Sequence, residues 1–224
     1  STTLKSKVKQ LIEKEIEAIK NIPIDGVIEK AVDILYENIH QKQGKLVISG
    51  MGKAGQIGMN IATTLSSTGT PAVFIHPSEA QHGDLGLVQK NDVLLLISNS
   101  GKTREVLEFD LLVKQLHTNV PVLALTGNNQ SPLKELANVC LYTGNPKEIC
   151  PLGLTPTTST TVMTIVGDVL VVSMIRFLAL LLLSVPAFAD DNEITIKQDG
   201  DNFNLDITQI GYDNIIKQWT ASEK

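Results

Sequence analysis

Cysteine and positive charge are both scarce in this sequence, and each shortage excludes a class of protein. The 224 residues include two cysteines, Cys140 and Cys150, which lack the Cys-x-x-Cys spacing and the neighbouring histidine of a metal site. We therefore predict two reduced thiols and a cytoplasmic domain. The net charge of −5 excludes the basic face of a nucleic-acid-binding protein. A small anionic substrate is still compatible with it, because backbone amides can hold a phosphate.

Hydrophobic periodicity divides most of the chain into an N-terminal helical pair and an alternating β/α region. Apolar residues at steps of three and four predict helices over residues 4–19 and 27–39, separated by Pro23, with Gly44 ending the second. Helical stretches then alternate with short, continuously apolar runs, and a last apolar helix follows Thr157. The runs predict strands buried on both faces: Leu46–Ser49, Ala72–Ile75, Val93–Ser98, Val122–Leu125 and Val139–Tyr142. This alternation predicts an α/β fold, a parallel sheet with helices on both sides.

The sequence changes character at Met174. A positive start at Arg176, a leucine-rich run over 177–185 and an Ala-x-Ala ending have the layout of a secretory signal peptide. One long buried helix is the alternative. The run is too short to span a bilayer by itself, so we expect no membrane association.

The last 35 residues differ again. Gln198-x-Gly200 recurs as Gln209-x-Gly211, and apolar residues alternate with polar ones at a strand period. This pattern is similar to the curlin repeat of bacterial amyloid fibres, and an ordinary polar hairpin is the alternative. We therefore predict a main domain over residues 1–175 and an atypical C-terminal extension over 176–224, signal-like and then curlin-like.

Two loops rich in glycine and hydroxyl groups follow the first and third predicted strands, and each opens a helix. The first has neither the P-loop spacing nor the acidic residue of a dinucleotide-binding fingerprint. Hydroxyls and free amides of the second can hold a phosphate, although the same hydroxyls also suit simple helix caps. Because both loops follow strand ends at one sheet edge, the switch-point rule favours a ligand site. Its candidate residues are Ser49, Gly50, Gly52, Ser98, Ser100 and Thr103.

Two further segments carry groups suited to chemistry. His82 lies among small and acidic residues over 77–86, where it is either a proton carrier or simply exposed. Glu148 precedes a hydroxyl-rich run that includes Thr157 and Ser159, which feeds the last helix. This run can bind oxyanions, or it can be a set of solvated caps.

Four strings, in order, closely resemble arabinose 5-phosphate isomerases of the sugar isomerase (SIS) domain family: GMGKAGQIG, HPSEAQHGDLG, ISNSGKTRE and KEICPLGLTPTTSTT. The resemblance covers about residues 1–175. It implies a doubly wound, five-stranded parallel sheet, a phosphate held by the 98–103 loop, and aldose–ketose isomerisation. It matches Lys53, Glu105 and Glu148 to active-site positions and His82 to the family's loop histidine. It further implies a homo-oligomer, dimer or tetramer, and a role in 3-deoxy-manno-octulosonate synthesis for lipopolysaccharide or capsule.

The residues agree with this chemistry. Moving a carbonyl between C1 and C2 needs a base, here Glu105 or Glu148, and a donor for the developing oxyanion, here Lys53. It requires no metal and no cofactor.

One departure weakens the expectation of activity. The family has a histidine in a His-Pro-Gly-Gly-like stretch after the last helix, and this chain has no histidine after His117. The alternatives are a non-catalytic sugar-phosphate-binding domain of the same fold, impaired by the replaced C-terminus, and a curli-like structural protein.

Overall fold

The computed structural model describes residues 3–23 and 25–184. In that part of the chain the helices and strands follow the order α1 Leu4–Lys20, α2 Val27–Leu35, β1 Leu46–Gly50, α3 Gly52–Ser67, β2 Ala72–Phe74, α4 Pro77–Ala80, β3 Val93–Ile97, α5 Arg104–Leu116, β4 Val122–Thr126, α6 Pro132–Leu136, β5 Val139–Tyr142 and α7 Thr158–Ser184. A π-helix over Tyr36–Gln41 extends α2, and a 3₁₀ helix covers Asp84–Leu87. The predicted Ala-x-Ala ending and the curlin-like repeats lie outside the described residues.

The five strands form one parallel sheet in the order β2-β1-β3-β4-β5. Every residue of β1, β3 and β4 is buried, as expected for central strands covered on both faces. The strand order reverses between β1 and β3, because the chain builds outward from β1 in one direction and from β3 in the other. The predicted doubly wound α/β fold is confirmed, and β1 and β3 form its switch point.

Two apolar layers hold the helices on the sheet. On one face α2, α3 and α7 pack on the sheet through residues such as Leu35, Ile61 and Leu170. On the other face α4, α5 and α6 pack through residues such as Phe109 and Leu133. The helices on both faces therefore fix the loops that leave the carboxyl ends of β1 and β3.

The first predicted helix is confirmed, but its apolar stripe faces solvent. Thr3 caps α1 by accepting a hydrogen bond from the amide of Ser6. The helix buries none of its residues, and its exposed apolar side chains are Leu4, Val8, Leu11, Ile12 and Ile16. An unpartnered stripe of this kind is unusual for a monomer and is typical of an interaction surface.

The expected end of the second helix is wrong. The helix continues from α2 into the π-helix and ends at Gln41, and the residue with left-handed backbone is Gln43 (φ 60°) rather than Gly44. Gly44 is needed for a different reason, since a Cβ there would overlap the backbone carbonyl of Asn91. The sequence pattern predicted that Gly44 caps the helix, whereas the fold requires a glycine there because the backbone of Asn91 leaves no room for a side chain.

Helix α7 runs unbroken through the predicted change of character at Met174, which is itself fully buried. Three residues later, the ring of Phe177 packs edge-on against the ring of Tyr36 with centroids 5.1 Å apart. By length and composition alone, Thr158–Leu181 could cross a membrane, a test that core helices of soluble proteins also pass. Residues 1–178 make up one compact unit of the chain and 179–224 a second.

Candidate functional site

A cleft of about 290 Å³ lies at the carboxyl ends of β1 and β3. Its walls are the first turn of α3, the loop after β3 and the start of α7. The lining residues are Met51, Lys53, Ala54, Ile97, Ser98, Asn99, Ser100, Thr103, Glu148, Pro156, Ser159, Thr160 and Met163. Ligands of doubly wound folds bind at this kind of position, outside the strand ends at the switch point. The cleft brings together six of the predicted site residues: Lys53, Ser98, Ser100, Thr103, Glu148 and Ser159.

The turn between β1 and α3 is shaped by its glycines. A Cβ at Gly50 would lie 3.1 Å from the carbonyl oxygen of Ile97, so the backbones of β1 and β3 approach closely there. Gly52 has a left-handed backbone (φ 55°), which starts α3 directly after the strand. Ser49 is fully buried and its hydroxyl donates to the carbonyl of Ile75 at 2.8 Å, tying β1 to the end of β2. These three predicted residues build the turn but are not among those that line the cleft.

The loop after β3 carries three hydroxyl groups that are already partly hydrogen-bonded. Ser98 and Thr103 lie 2.7 Å apart, oxygen to oxygen, and the amide of Gly101 donates to Ser98 at 3.1 Å. Ser100 accepts from the amide of Lys102 at 3.2 Å and donates no hydrogen bond within residues 3–23 and 25–184, so its proton can go to a ligand. One proton of the Ser98–Thr103 pair is used between the two hydroxyls, and the other is free. The three hydroxyls can therefore donate two hydrogen bonds to a ligand.

Residues at the carboxyl end of β4 and directly after it, which the sequence reasoning missed, hold this loop in place. The amide of Gly127 and the hydroxyl of Thr126 donate to the carbonyl of Asn99, at 3.1 and 3.3 Å. The side-chain amide of Asn128 donates to the carbonyl of Ser100 at 3.0 Å. With these carbonyls occupied, the loop is pre-organised to present donors to an anion. Polar residues directly after a buried strand at the same sheet edge were the signal for them.

Lys53 brings a positive charge into the cleft from the first turn of α3. Its ammonium group donates to the carbonyl of Pro156 at 2.8 Å, which links α3 to the segment that precedes α7. A cation at this place is suited to stabilise an anion or a developing oxyanion in the cleft.

Glu148 caps the N-terminus of α7. One of its oxygens, Oε2, accepts from the amide and hydroxyl of Thr157, at 2.7 and 2.8 Å, and from the amide of Ser159 at 3.3 Å. Burial raises the pKa of Glu148, but the hydrogen bonds from Ser159 and Thr157 together outweigh it and hold the pKa below its ordinary value. These three bonds all fall on Oε2, and the carboxylate of Glu148 lines the cleft. Thr157 thus serves the cleft through Glu148 and does not line it.

Two predicted residues lie apart from the lining of the cleft. His82 is exposed in the turn between α4 and the 3₁₀ helix. Glu105 is half-buried in the first turn of α5, two residues after Thr103. Within residues 3–23 and 25–184, the histidine, cysteine and acidic side chains form no cluster of three or more that could hold a metal ion.

Cys150, two residues after Glu148 in the chain, also has a perturbed pKa. Hydrogen bonds from the backbone amides of Thr155, Leu152 and Leu154 to its sulfur lower the pKa of the thiol to about 7. Burial instead raises the pKa of Cys140. The sequence reasoning treated the two thiols alike, because the turn that surrounds Cys150 has no spacing signature.

Comparison with known proteins gives consistent matches. The SIS domain family matches residues 39–173, more than half of the chain. The arabinose 5-phosphate isomerase KdsD of Francisella tularensis is 45% identical over 161 residues, which are 72% of this chain and 48% of that protein. The chain therefore spans about half the length of the curated relatives it matches.

Two solved structures match this chain over most of their own length. A Bacteroides fragilis protein, assigned as a phosphosugar isomerase involved in capsule formation, is 56% identical with a TM-score of 0.78, over 79% of this chain and 92% of that chain. The Escherichia coli CFT073 protein c3406, in complex with arabinose 5-phosphate, is 34% identical with a TM-score of 0.70, again over 79% and 92% of the two chains.

Proposed function

Because the chain belongs to the SIS domain family, we propose that it is an aldose–ketose isomerase that interconverts D-arabinose 5-phosphate and D-ribulose 5-phosphate. The observation that carries the proposal is the cleft, which places a lysine and a carboxylate beside a pre-organised hydroxyl loop. The KdsD relatives are named arabinose 5-phosphate isomerases, and the structure of the similar protein c3406 was solved in complex with arabinose 5-phosphate.

In the proposed reaction the phosphate binds the loop after β3. Ser100 donates its free proton, the Ser98–Thr103 pair donates another, and loop amides add to them. The sugar carbons then extend toward Lys53 and Glu148, with Ser159 as a further donor at the start of α7. Binding energy from the phosphate thus positions the reacting carbons, which lowers the barrier by orientation.

The chemical step transfers one proton between neighbouring carbons. The carboxylate of Glu148 removes the proton at C2 of the aldose, and the C1 oxygen takes up the electron pair as an enediolate. Lys53 stabilises that negative charge. The carboxyl group of Glu148 exchanges that proton with water and returns a proton to C1, the C2 hydroxyl loses its proton to the C1 oxygen, and the ketose forms without an oxidant or reductant. Glu105 is the second candidate for the base, and His82 is a candidate proton carrier between the two oxygens.

A non-catalytic sugar-phosphate-binding domain is the second candidate function, and two observations favour it. The hydrogen bonds that lower the pKa of Glu148 also make it a weaker base at neutral pH, whereas efficient general bases have a pKa near the working pH. The absence of a histidine after His117 points in the same direction.

We further propose a cytoplasmic homo-oligomer, dimer or tetramer, acting in 3-deoxy-manno-octulosonate synthesis for lipopolysaccharide or capsule. The exposed apolar stripe of α1 supports self-association, since burying it would remove five large apolar side chains from water. We also propose that residues 176–224 are a separate signal-like and curlin-like piece joined to the SIS domain.

The test incubates the purified full chain with D-ribulose 5-phosphate and follows D-arabinose 5-phosphate by NMR. We expect conversion to an equilibrium mixture, at a rate that Lys53→Met lowers at least a hundredfold and Lys90→Met, an exposed control outside the cleft, leaves unchanged. Calorimetric binding of D-arabinose 5-phosphate without any turnover would support the second candidate. Neither turnover nor binding would contradict both.

A further inference from the structure

A carboxylate from the N-terminal helix reaches the start of α7, behind the cleft. Oε1 of Glu15 accepts a hydrogen bond from the hydroxyl of Thr158 at 2.7 Å, across 143 residues of sequence. Helix α1 buries none of its residues, so this polar contact stands out among its interactions. Neither residue lines the cleft.

The hydroxyl of Thr158 makes two hydrogen bonds, and Glu15 accepts its proton in one of them. Thr158 is 1% exposed, and its oxygen also accepts from the backbone amide of Ile149 at 3.1 Å. A hydroxyl has a single proton. Because the carboxylate of Glu15 takes that proton, a lone pair of the hydroxyl is fixed toward Ile149, the residue that follows Glu148.

The same turn of α7 holds Glu148 from the other side. Thr157 and Ser159, which flank Thr158, donate three hydrogen bonds to Oε2 of Glu148. The segment 148–149 and the first turn of α7 are therefore tied together twice, once through the carboxylate of Glu148 and once through the hydroxyl of Thr158. Glu15 completes the second tie.

A gain in stability alone does not explain the hydrogen bond between Glu15 and Thr158. Oε2 of Glu15 is buried and has no hydrogen-bond partner within residues 3–23 and 25–184. A carboxylate oxygen buried in this way costs free energy, and α1 gains no buried apolar side chain from holding it there. A role in positioning the neighbouring site explains the arrangement better.

We propose that Glu15 is a positioning residue, which orients the hydroxyl of Thr158 and thereby holds Glu148 in place at the cleft. This inference rests on the proposed isomerase function. It assigns to α1 a part in the reaction, although α1 contributes no residue to the cleft.

The test compares three single variants in the full chain: Glu15→Ala, Glu15→Gln and the control Glu13→Ala, an exposed glutamate one half-turn away on α1. Glu15→Ala should lower kcat about tenfold, the usual effect of losing one hydrogen bond to a charged group. The Kd for D-arabinose 5-phosphate should stay within about twofold, because the phosphate loop does not contact Glu15. Glu15→Gln keeps an acceptor for Thr158 and should restore most of kcat, and Glu13→Ala should match the unchanged chain.

Hydrogen exchange gives a readout that needs no turnover. Mass spectrometry of peptides covering 148–160 should show faster exchange in Glu15→Ala than in the unchanged chain, with Glu15→Gln and Glu13→Ala close to the unchanged chain. If Glu15→Ala fails to fold, Thr158→Ser, which keeps the hydroxyl, should match the unchanged chain, and Thr158→Val, which removes the hydrogen bonds to both Glu15 and Ile149 at nearly constant volume, should give losses at least as large as those expected for Glu15→Ala.

The outcomes separate this inference from the proposed function. A kcat in Glu15→Ala equal to that of the active, unchanged chain overturns the positioning role and leaves the isomerase function standing. An equal loss in Glu13→Ala, or a loss confined to Kd, overturns it as well. If the unchanged chain shows no turnover, the proposed function fails, and unchanged exchange over 148–160 in Glu15→Ala then refutes the structural coupling also.

Discussion

Replacing Ser100 by alanine should weaken sugar-phosphate binding more than replacing Thr103. Ser100 accepts from the amide of Lys102 and donates no hydrogen bond within the described residues, so alanine removes one donor from the cleft. Thr103 shares one proton with Ser98. Removing Thr103 frees the proton of Ser98, which still lines the cleft.

The magnitudes follow from this count of donors. One hydrogen bond to a charged phosphate is worth about 1.5–3 kcal/mol, so Ser100→Ala should raise the Kd for D-arabinose 5-phosphate about ten- to a hundredfold. Thr103→Ala should raise it no more than about threefold. Isothermal titration calorimetry on the full chain measures both. Thr63→Ala is the matched control, because that exposed hydroxyl donates to the carbonyl of Met59 on α3 and lies outside the cleft.

Two results would contradict this assignment of hydrogen-bond donors. Unchanged affinity in Ser100→Ala would mean that the loop after β3 does not hold the phosphate. A loss in Thr103→Ala as large as that in Ser100→Ala would mean that the Ser98–Thr103 pair does not share its protons as described.

Three further predictions concern stability and reactivity. Gly101→Ala should lower the free energy of unfolding, measured in urea, by about 2–4 kcal/mol, because φ is 62° and a methyl group would overlap the side chain of Ser131. The control Gly69→Ala, where φ is 92° but the space is open, should lower it by only about 1 kcal/mol. Iodoacetamide should alkylate Cys150 at half its maximal rate near pH 7, because a pKa of about 7 leaves half of the thiol ionised there. It should alkylate Cys140 far more slowly, because burial raises the pKa of that thiol. Equal alkylation rates of the two thiols would contradict this prediction. Phe177→Ala should lower the thermal melting temperature by several degrees, because the contact with the ring of Tyr36 is lost, and Phe177→Leu should lower it less. An unchanged melting temperature in both variants would show that Phe177 does not contribute to the core.

The sheet and the main loops of the cleft could be predicted from the sequence. Strands buried on both faces have continuous apolar runs, so all five were located to within one residue at each end. The loops after β1 and β3 were predictable because parallel strands bring their carboxyl ends to one edge. That rule groups Gly52 with Ser100, and the family resemblance adds Lys53.

Contacts between residues distant in sequence could not be predicted. The overlap that requires Gly44 depends on Asn91, and the bond between Glu15 and Thr158 spans 143 residues. Periodicity placed α1 correctly as a helix but could not say that its apolar stripe would stay exposed. Glu148 caps the N-terminus of α7 only because the segment 149–156 turns back and brings its carboxylate to Thr157, and no local pattern in the sequence predicts this turn.

The most direct test of the account is exchange of solvent deuterium into the sugar. The full chain is incubated with D-arabinose 5-phosphate in D₂O, and deuterium at C2 of the aldose and C1 of the ketose is followed by NMR. Proton transfer through an enediolate in this cleft predicts incorporation at both carbons, lost in Glu148→Gln and retained in the control Glu13→Gln. Incorporation at an unchanged rate in Glu148→Gln would contradict the assignment of the base, and no incorporation by the unchanged chain would contradict the proposed isomerase function.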